Sequence, residues 1–214
     1  TPNPYTISGA GGTLDSVTAS SSNGAYVRLG ATVGRENVVA MAEKLGITSD
    51  FDPRVIPMPL GVFNVTPLEM AAAYAAMTNG GIYNEPYFIE KVEDRNGNVL
   101  IEHEAHPTRA ISAQTACLAS EILRHNVERG TGKNAQLGPQ PAAGKTGTTE
   151  KNTDTWFVGF TPYLTTAVWM GFPGEAKPMP RIYGQELFGS LYSAKAWQVM
   201  NRAYLDARDL PVAE

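Results

Sequence analysis

The sequence predicts an α+β domain in which helices flank an antiparallel sheet, and three observations carry that reading. Helical patterns occur in the first third, in the middle and at the end of the chain. Between them lie alternating apolar runs that suit half-buried strands. The runs "TWFVGF" and "LTTAVWMGF" are separated only by "TPY". A connection that short suits an antiparallel pair, because a parallel pair needs a crossover of about a dozen residues. Helices, a hairpin, a helix, strands and a closing helix form the expected order.

Each element has a local cause. Residues 1–12, "TPNPYTISGAGG", are rich in Pro, Gly and Ser and form a connector. The loop "VTASSSN" then leads into two short helices, "GAYVRLGATVG" and "RENVVAMAEKLGI". At Thr66 a further helix begins, with Thr66 as N-cap, Pro67 in the first turn and Glu69 completing a capping box. Gly80 and Gly81 end it. "YFIEKVEDRNGNVLIEHE" is two alternating runs around Asn96-Gly97, which predicts a hairpin with a two-residue type I′ turn. Residues 112–128 are helical and Gly130 stops them. Trp156, Phe157, Trp169 and Phe172 are expected in the core. The last helix, "SLYSAKAWQVMNRAYLDA", ends before Pro211. Residues 13–210 thus form one structural portion, with 1–12 a connector and 211–214 a tail.

Composition narrows the function. The chain has 214 residues, 43% hydrophobic and 18% charged, a globular balance. A net charge of −4 without a Lys/Arg cluster argues against nucleic acid as a partner. No apolar run reaches the roughly 18 residues of a membrane span, and Thr1 opens no signal-peptide pattern, so any anchor is expected outside this chain. The single cysteine, Cys117, is expected to be a packed thiol in a helix. His103, His106 and His125 are not at metal-ligand spacing, and no cofactor is implied.

The chemistry concentrates in "AAGKTGTTEKNTDTWFVGF", residues 142–160. A phosphate loop fits poorly, since from Gly138 to Gly144 the spacing is one residue too long and Pro139 stands where the first glycine belongs; a plain turn fits Lys-Thr-Gly better than that. Thr146, Thr148 and Thr149 are β-branched and favour a strand. On a strand, Thr146 and Thr148 share a face, and two hydroxyls beside the Lys145 ammonium make a cradle for a carboxylate. Gly147 leaves room for a substrate backbone to pair along the strand.

These residues resemble a known family. "GKTGTTEKNTDTWFVGFTPYLTTAVWMGF" is similar to the Lys-Thr-Gly strand and following hairpin of penicillin-binding proteins, the bifunctional class A members in particular. "SSN", Ser21 to Asn23, followed by "GAYVRL", resembles their Ser-x-Asn loop and the helix after it. "LGVFNVTPLEMAAAYAAMTNGG" resembles a helix in the middle of their domain, so the likeness runs from about residue 13 to about residue 205. One departure stands out: no Ser-x-x-Lys, the motif of the family's nucleophile, occurs in these 214 residues.

The resemblance implies the C-terminal part of a penicillin-recognising transpeptidase domain, with the nucleophilic serine on an upstream segment. It implies an enzyme that cross-links peptidoglycan stem peptides ending in D-Ala-D-Ala through a serine acyl-enzyme, and that β-lactams inhibit. Ser21 would relay a proton and Lys145 would hold it. Asn23 would bond the substrate amide, Thr146 and Thr148 would bind the terminal carboxylate, and the Thr148 N–H would form half of an oxyanion hole. The work would be done at the outer face of a bacterial cytoplasmic membrane. Two other readings stay open: a related serine hydrolase, a β-lactamase or D,D-carboxypeptidase, and a non-catalytic module of the same fold.

Overall fold

Local signals start most of the elements in the computed structural model, which describes residues 12–213. Thr13 caps α1 (Leu14–Ala19) and Ser22 caps α2 (Asn23–Val33), which runs into α3 (Arg35–Lys44). The Thr66/Glu69 capping box opens α4 (Pro67–Thr78) as predicted. Short strands follow: β1 (Ile82–Tyr83), β2 (Lys91–Glu93), β3 (Val99–Glu102) and β4 (Thr108–Arg109). Ser112 caps α5 (Ala113–Arg129), and Gly130 ends it. Then come β5 (Ala143–Thr148), β6 (Asp154–Phe160) and β7 (Thr165–Gly171). A π-turn, Gly189–Ser193, leads into α6 (Ala194–Ala207).

The main sheet is antiparallel in the order β5-β6-β7, so β5 and β7 are its edges. Helices cover both faces, as the α+β reading requires. On one face Phe160 and Ala143 pack with Leu123 of α5 and with Tyr74 and Met77 of α4. On the other, Phe157 meets Trp197 of α6 at 5.3 Å between ring centroids, inside a cluster with Val127, Leu137, Ala142 and Ala194. The Trp197 indole N–H reaches the Gly159 and Thr166 carbonyls, so this large side chain is buried with its polar atom satisfied.

Several expectations change. Residues 17–19, expected as loop, belong to α1, because Thr13 caps a helix that starts at Leu14 and runs on through them. The hairpin of β2 and β3 forms, but its loop has three residues, 95–97, closed by the Asp94 N–H to the Asn98 carbonyl. Only Gly97 takes a positive φ, while the Asp94 carboxylate accepts from the N–H groups of Asn96 and Asn98. Cys117 is exposed, since it lies one step off the buried α5 stripe of Ala116, Leu123 and Val127. Of the four aromatic residues expected in the core, Phe157 is fully buried; Trp156, Trp169 and Phe172 are half-buried. The connector lies outside the described residues, save Gly12. No helix among the described residues is long and apolar enough to cross a membrane.

Candidate active site

Ser21 owes its position to the end of α1. Its φ is +53°, in the left-handed region that costs a side-chain-bearing residue roughly 1–2 kcal/mol. The turn is held by two backbone bonds, Ser21 N–H to the Thr18 carbonyl (3.0 Å) and Ser22 N–H to the Val17 carbonyl (2.9 Å). Strain of this kind, held in place by its surroundings, gathers at functional sites. The neighbouring serines divide the work: Ser22 accepts from the Ala25 N–H as the α2 cap, which leaves the Ser21 hydroxyl free of structural duty. Asn23 opens α2 with its amide exposed and without a hydrogen-bond partner among the described residues. The Thr18 hydroxyl and the Tyr26 phenol, 2.5 Å apart, tie α1 to α2 across this loop.

Lys145 arrives from the sheet. It pairs with Val158 on β6 and points to the face covered by α4 and α5. Its ammonium donates to the Ser21 hydroxyl (2.8 Å) and to the Thr146 carbonyl (3.0 Å), with the Thr146 hydroxyl at 3.5 Å. Ser21 and Lys145 stand 124 residues apart in the chain, and the fold brings them into direct contact. Burial pushes the lysine down to about 8, because a charge loses water there and gains no carboxylate in exchange. Since Ser21 Oγ accepts from Lys145, its own proton is available to another acceptor.

Thr146 and Thr148 share the opposite face, across from Phe157 and Thr155, as alternation predicts. β5 is an edge strand with the lysine on one side and the hydroxyls on the other, so of the two hydroxyls expected beside the ammonium only that of Thr146 comes within reach of it. The two hydroxyls are not equivalent. Thr148 Oγ1 accepts the Gly189 N–H at 3.1 Å, which leaves its proton free, and the residue is exposed. Thr146 Oγ1 lies 2.8 Å from the Thr131 hydroxyl. Gly189 must be glycine to come this close: a Cβ would stand 2.3 Å from the Gly147 carbonyl oxygen and 2.5 Å from that of Trp156. Gly147 itself faces Trp156 across the pair, and no described strand covers the outer edge of β5 beside it.

Sequence reasoning singled out Ser21, Asn23, Lys145, Thr146, Gly147 and Thr148; of these Ser21, Lys145 and Thr146 are in contact, Gly147 and Thr148 follow on β5, and Asn23 opens α2. It missed Gly189, Asn126 and Thr131. Of Gly130-Thr131-Gly132 the sequence reading used only Gly130, as a helix end; a threonine between two glycines just after a helix was the available signal. No group of three His, Cys, Asp or Glu able to hold a metal ion occurs among the described residues.

Residues 3–172 match the family described as penicillin binding protein transpeptidase domain. Penicillin-binding protein 1A of Aquifex aeolicus is 35% identical over 196 residues, 90% of this chain and 26% of that protein. Penicillin-binding protein 1B of Vibrio cholerae is 38% identical over 155 residues, 72% of this chain and 20% of that one. The chain therefore spans about a quarter or less of the length of these relatives. Among solved structures, PonA1 of Mycobacterium tuberculosis in complex with penicillin V superposes with a TM-score of 0.81 at 28% identity, covering 90% of this chain and 56% of that one. Penicillin-binding protein 1A of Haemophilus influenzae gives 0.81 at 26%, covering 94% and 35%.

Proposed function

Because the chain belongs to the penicillin-binding protein transpeptidase domain family, we propose that it forms part of a D,D-transpeptidase that cross-links peptidoglycan stem peptides and is acylated by β-lactams. The observation that carries this reading is the contact of the Lys145 ammonium with the Ser21 hydroxyl beside an open strand edge. A stem peptide ending in D-Ala-D-Ala lies along β5, with its carboxylate near Lys145 and the free proton of Thr148. Thr146 borders the same carboxylate subsite and Gly147 gives the peptide room. The exposed Asn23 amide bonds the substrate's amide side.

A serine on a segment outside these 214 residues attacks the penultimate carbonyl carbon, forming an ester as the C–N bond to the last alanine breaks. The Thr148 N–H supplies one donor to the oxyanion. The leaving nitrogen needs a proton. Ser21 gives it its hydroxyl proton and takes one from Lys145, which recovers its own from the nucleophile's hydroxyl. An amine from a neighbouring strand then takes the acyl group, and the same relay runs in reverse. The reaction belongs at the outer face of a bacterial cytoplasmic membrane, where the polymer lies.

Incubation of the full-length protein with a pentapeptide ending in D-Ala-D-Ala and an amine acceptor tests the reading. D-Alanine release with a cross-linked product is expected, lost in Ser21→Ala and Lys145→Ala. Release with hydrolysis alone would instead mean a carboxypeptidase, and rapid turnover of a penicillin a β-lactamase. No release and no penicillin adduct from folded protein would leave the non-catalytic module.

A further inference from the structure

Asn126 is fully buried and lies outside the substrate-facing set, yet both ends of its amide are used. Its Nδ2 donates to the Gly144 carbonyl of β5 at 2.8 Å, so its Oδ1 must turn toward the loop, where it accepts from the Thr131 hydroxyl at 3.1 Å. A reversed amide would set oxygen against the Gly144 oxygen, so the orientation is fixed. Thr131 has one hydroxyl proton and spends it on Asn126. The 2.8 Å contact between Thr131 and Thr146 therefore takes its proton from Thr146. Thr146 is left with lone pairs, and these face the Lys145 ammonium. The Thr131 N–H also donates to the Ala19 carbonyl, two residues before Ser21.

The loop is built to reach these partners. A Cβ on Gly130 would stand 2.5 Å from the Ala19 oxygen and 2.6 Å from Asn126 Oδ1. One on Gly132 would stand 2.9 Å from Asn126 Nδ2. Only glycine on both sides lets Thr131 sit between α1, α5 and β5.

We propose that Thr131, oriented by Asn126, is a positioning residue of the site: it commits the Thr146 proton away from Lys145, so that Thr146 serves the ammonium as an acceptor, and it locks the α1 end that carries Ser21 onto β5. The role in the reaction rests on the transpeptidase reading above. No charged side chain competes for Lys145 among the described residues: on α1 and α5, Asp15, His125 and Arg129 pair with one another, as do Arg124 and Glu128. Without the Thr131 hydroxyl, the Thr146 proton can swing toward the lysine, which removes an acceptor and disfavours the charged form.

Two readouts test this in the full-length protein. In Thr131→Val, penicillin acylation should fall about tenfold, the scale of one hydrogen bond. The basic limb of its pH profile should move to lower pH, and Thr131→Ser should restore both. Thr131→Ala gives the same comparison if valine does not fit the half-buried loop. A wild-type rate and profile in the folded variant would overturn the proposal, as would Thr131→Ser as impaired as Thr131→Val. The second readout needs no reaction: NMR titration of the Lys145 ammonium should give a lower midpoint in Thr131→Val and an unchanged one in Thr131→Ser. An unchanged midpoint in both overturns the positioning role, whereas a wild-type protein that never acylates overturns the transpeptidase reading alone.

Discussion

β6 and β3 are both short runs of apolar, β-prone residues in the sequence and meet opposite fates. In β6 five of seven residues are buried, with Phe157 at 0% exposure, because α4 and α5 cover one face and α6 the other. In β3 every residue is exposed, with Leu100 at 63% and Ile101 at 62%. An apolar, β-prone run specifies a strand; flanking helices decide whether it becomes core. The site follows the covered strand. Around β5 and β6 the buried polar side chains Asn126, Thr155, Ser193 and Asn201 are all hydrogen-bonded, and through Asn126 and Thr131 one such network ties β5 to the end of α1.

The sharpest break of this comparison is a truncation in the covered strand. Phe157→Ala should cost about 3–5 kcal/mol, the range for emptying a large aromatic site in a closed core, read from chemical denaturation of the full-length protein. A loss near zero would mean the β6 face is no better packed than the hairpin.

Next in size is the pH dependence of Lys145. Its ammonium titrates near 8 in the folded chain and near 10.5 unfolded, so between those values the unfolded state binds more protons. Folding stability should therefore rise with pH across that window, by about 2–3 kcal/mol after some screening. The gain should vanish in Lys145→Met, which lacks the group. Denaturation of both proteins at several pH values measures the difference, and parallel curves would show that the lysine is well solvated.

A smaller effect is expected at Thr148. Thr148→Val keeps the strand former and the volume but removes the free donor, so β-lactam acylation should slow roughly ten- to a hundredfold. Thr148→Ser should restore the rate. Equal rates in all three would remove the carboxylate subsite from this position. The smallest effect belongs to the hairpin: Leu100→Ser should change stability by no more than about 0.5 kcal/mol. A large loss there would place an unrecognised partner on β3.

Much of this was legible because it is local. The Thr66 capping box, the Ser112 and Gly130 limits of α5, and the short link between β6 and β7 all act within a few residues. The Lys-Thr-Gly strand was legible for the same reason, since alternation places Thr146 with Thr148. What sequence reasoning missed is long-range. Gly189 meets Thr148 across 41 positions, and nothing beside Gly189 announces that its N–H is needed there. Asn126 is one more polar position in a helix until Gly144 and Thr131 close around it. The hairpin loop failed for a different reason: Asp94, not the Asn-Gly pair, supplies the hydrogen bonds that select the turn.

The central claim is that Ser21 and Lys145 serve a nucleophile that neither of them provides. The direct measurement treats the full-length protein with a penicillin, follows the adduct by mass over time and maps it by peptide digestion. The account predicts a long-lived adduct on a serine outside these 214 residues, formed much more slowly in Lys145→Ala. An adduct on Ser21, or on any other serine between Thr1 and Glu214, would contradict it.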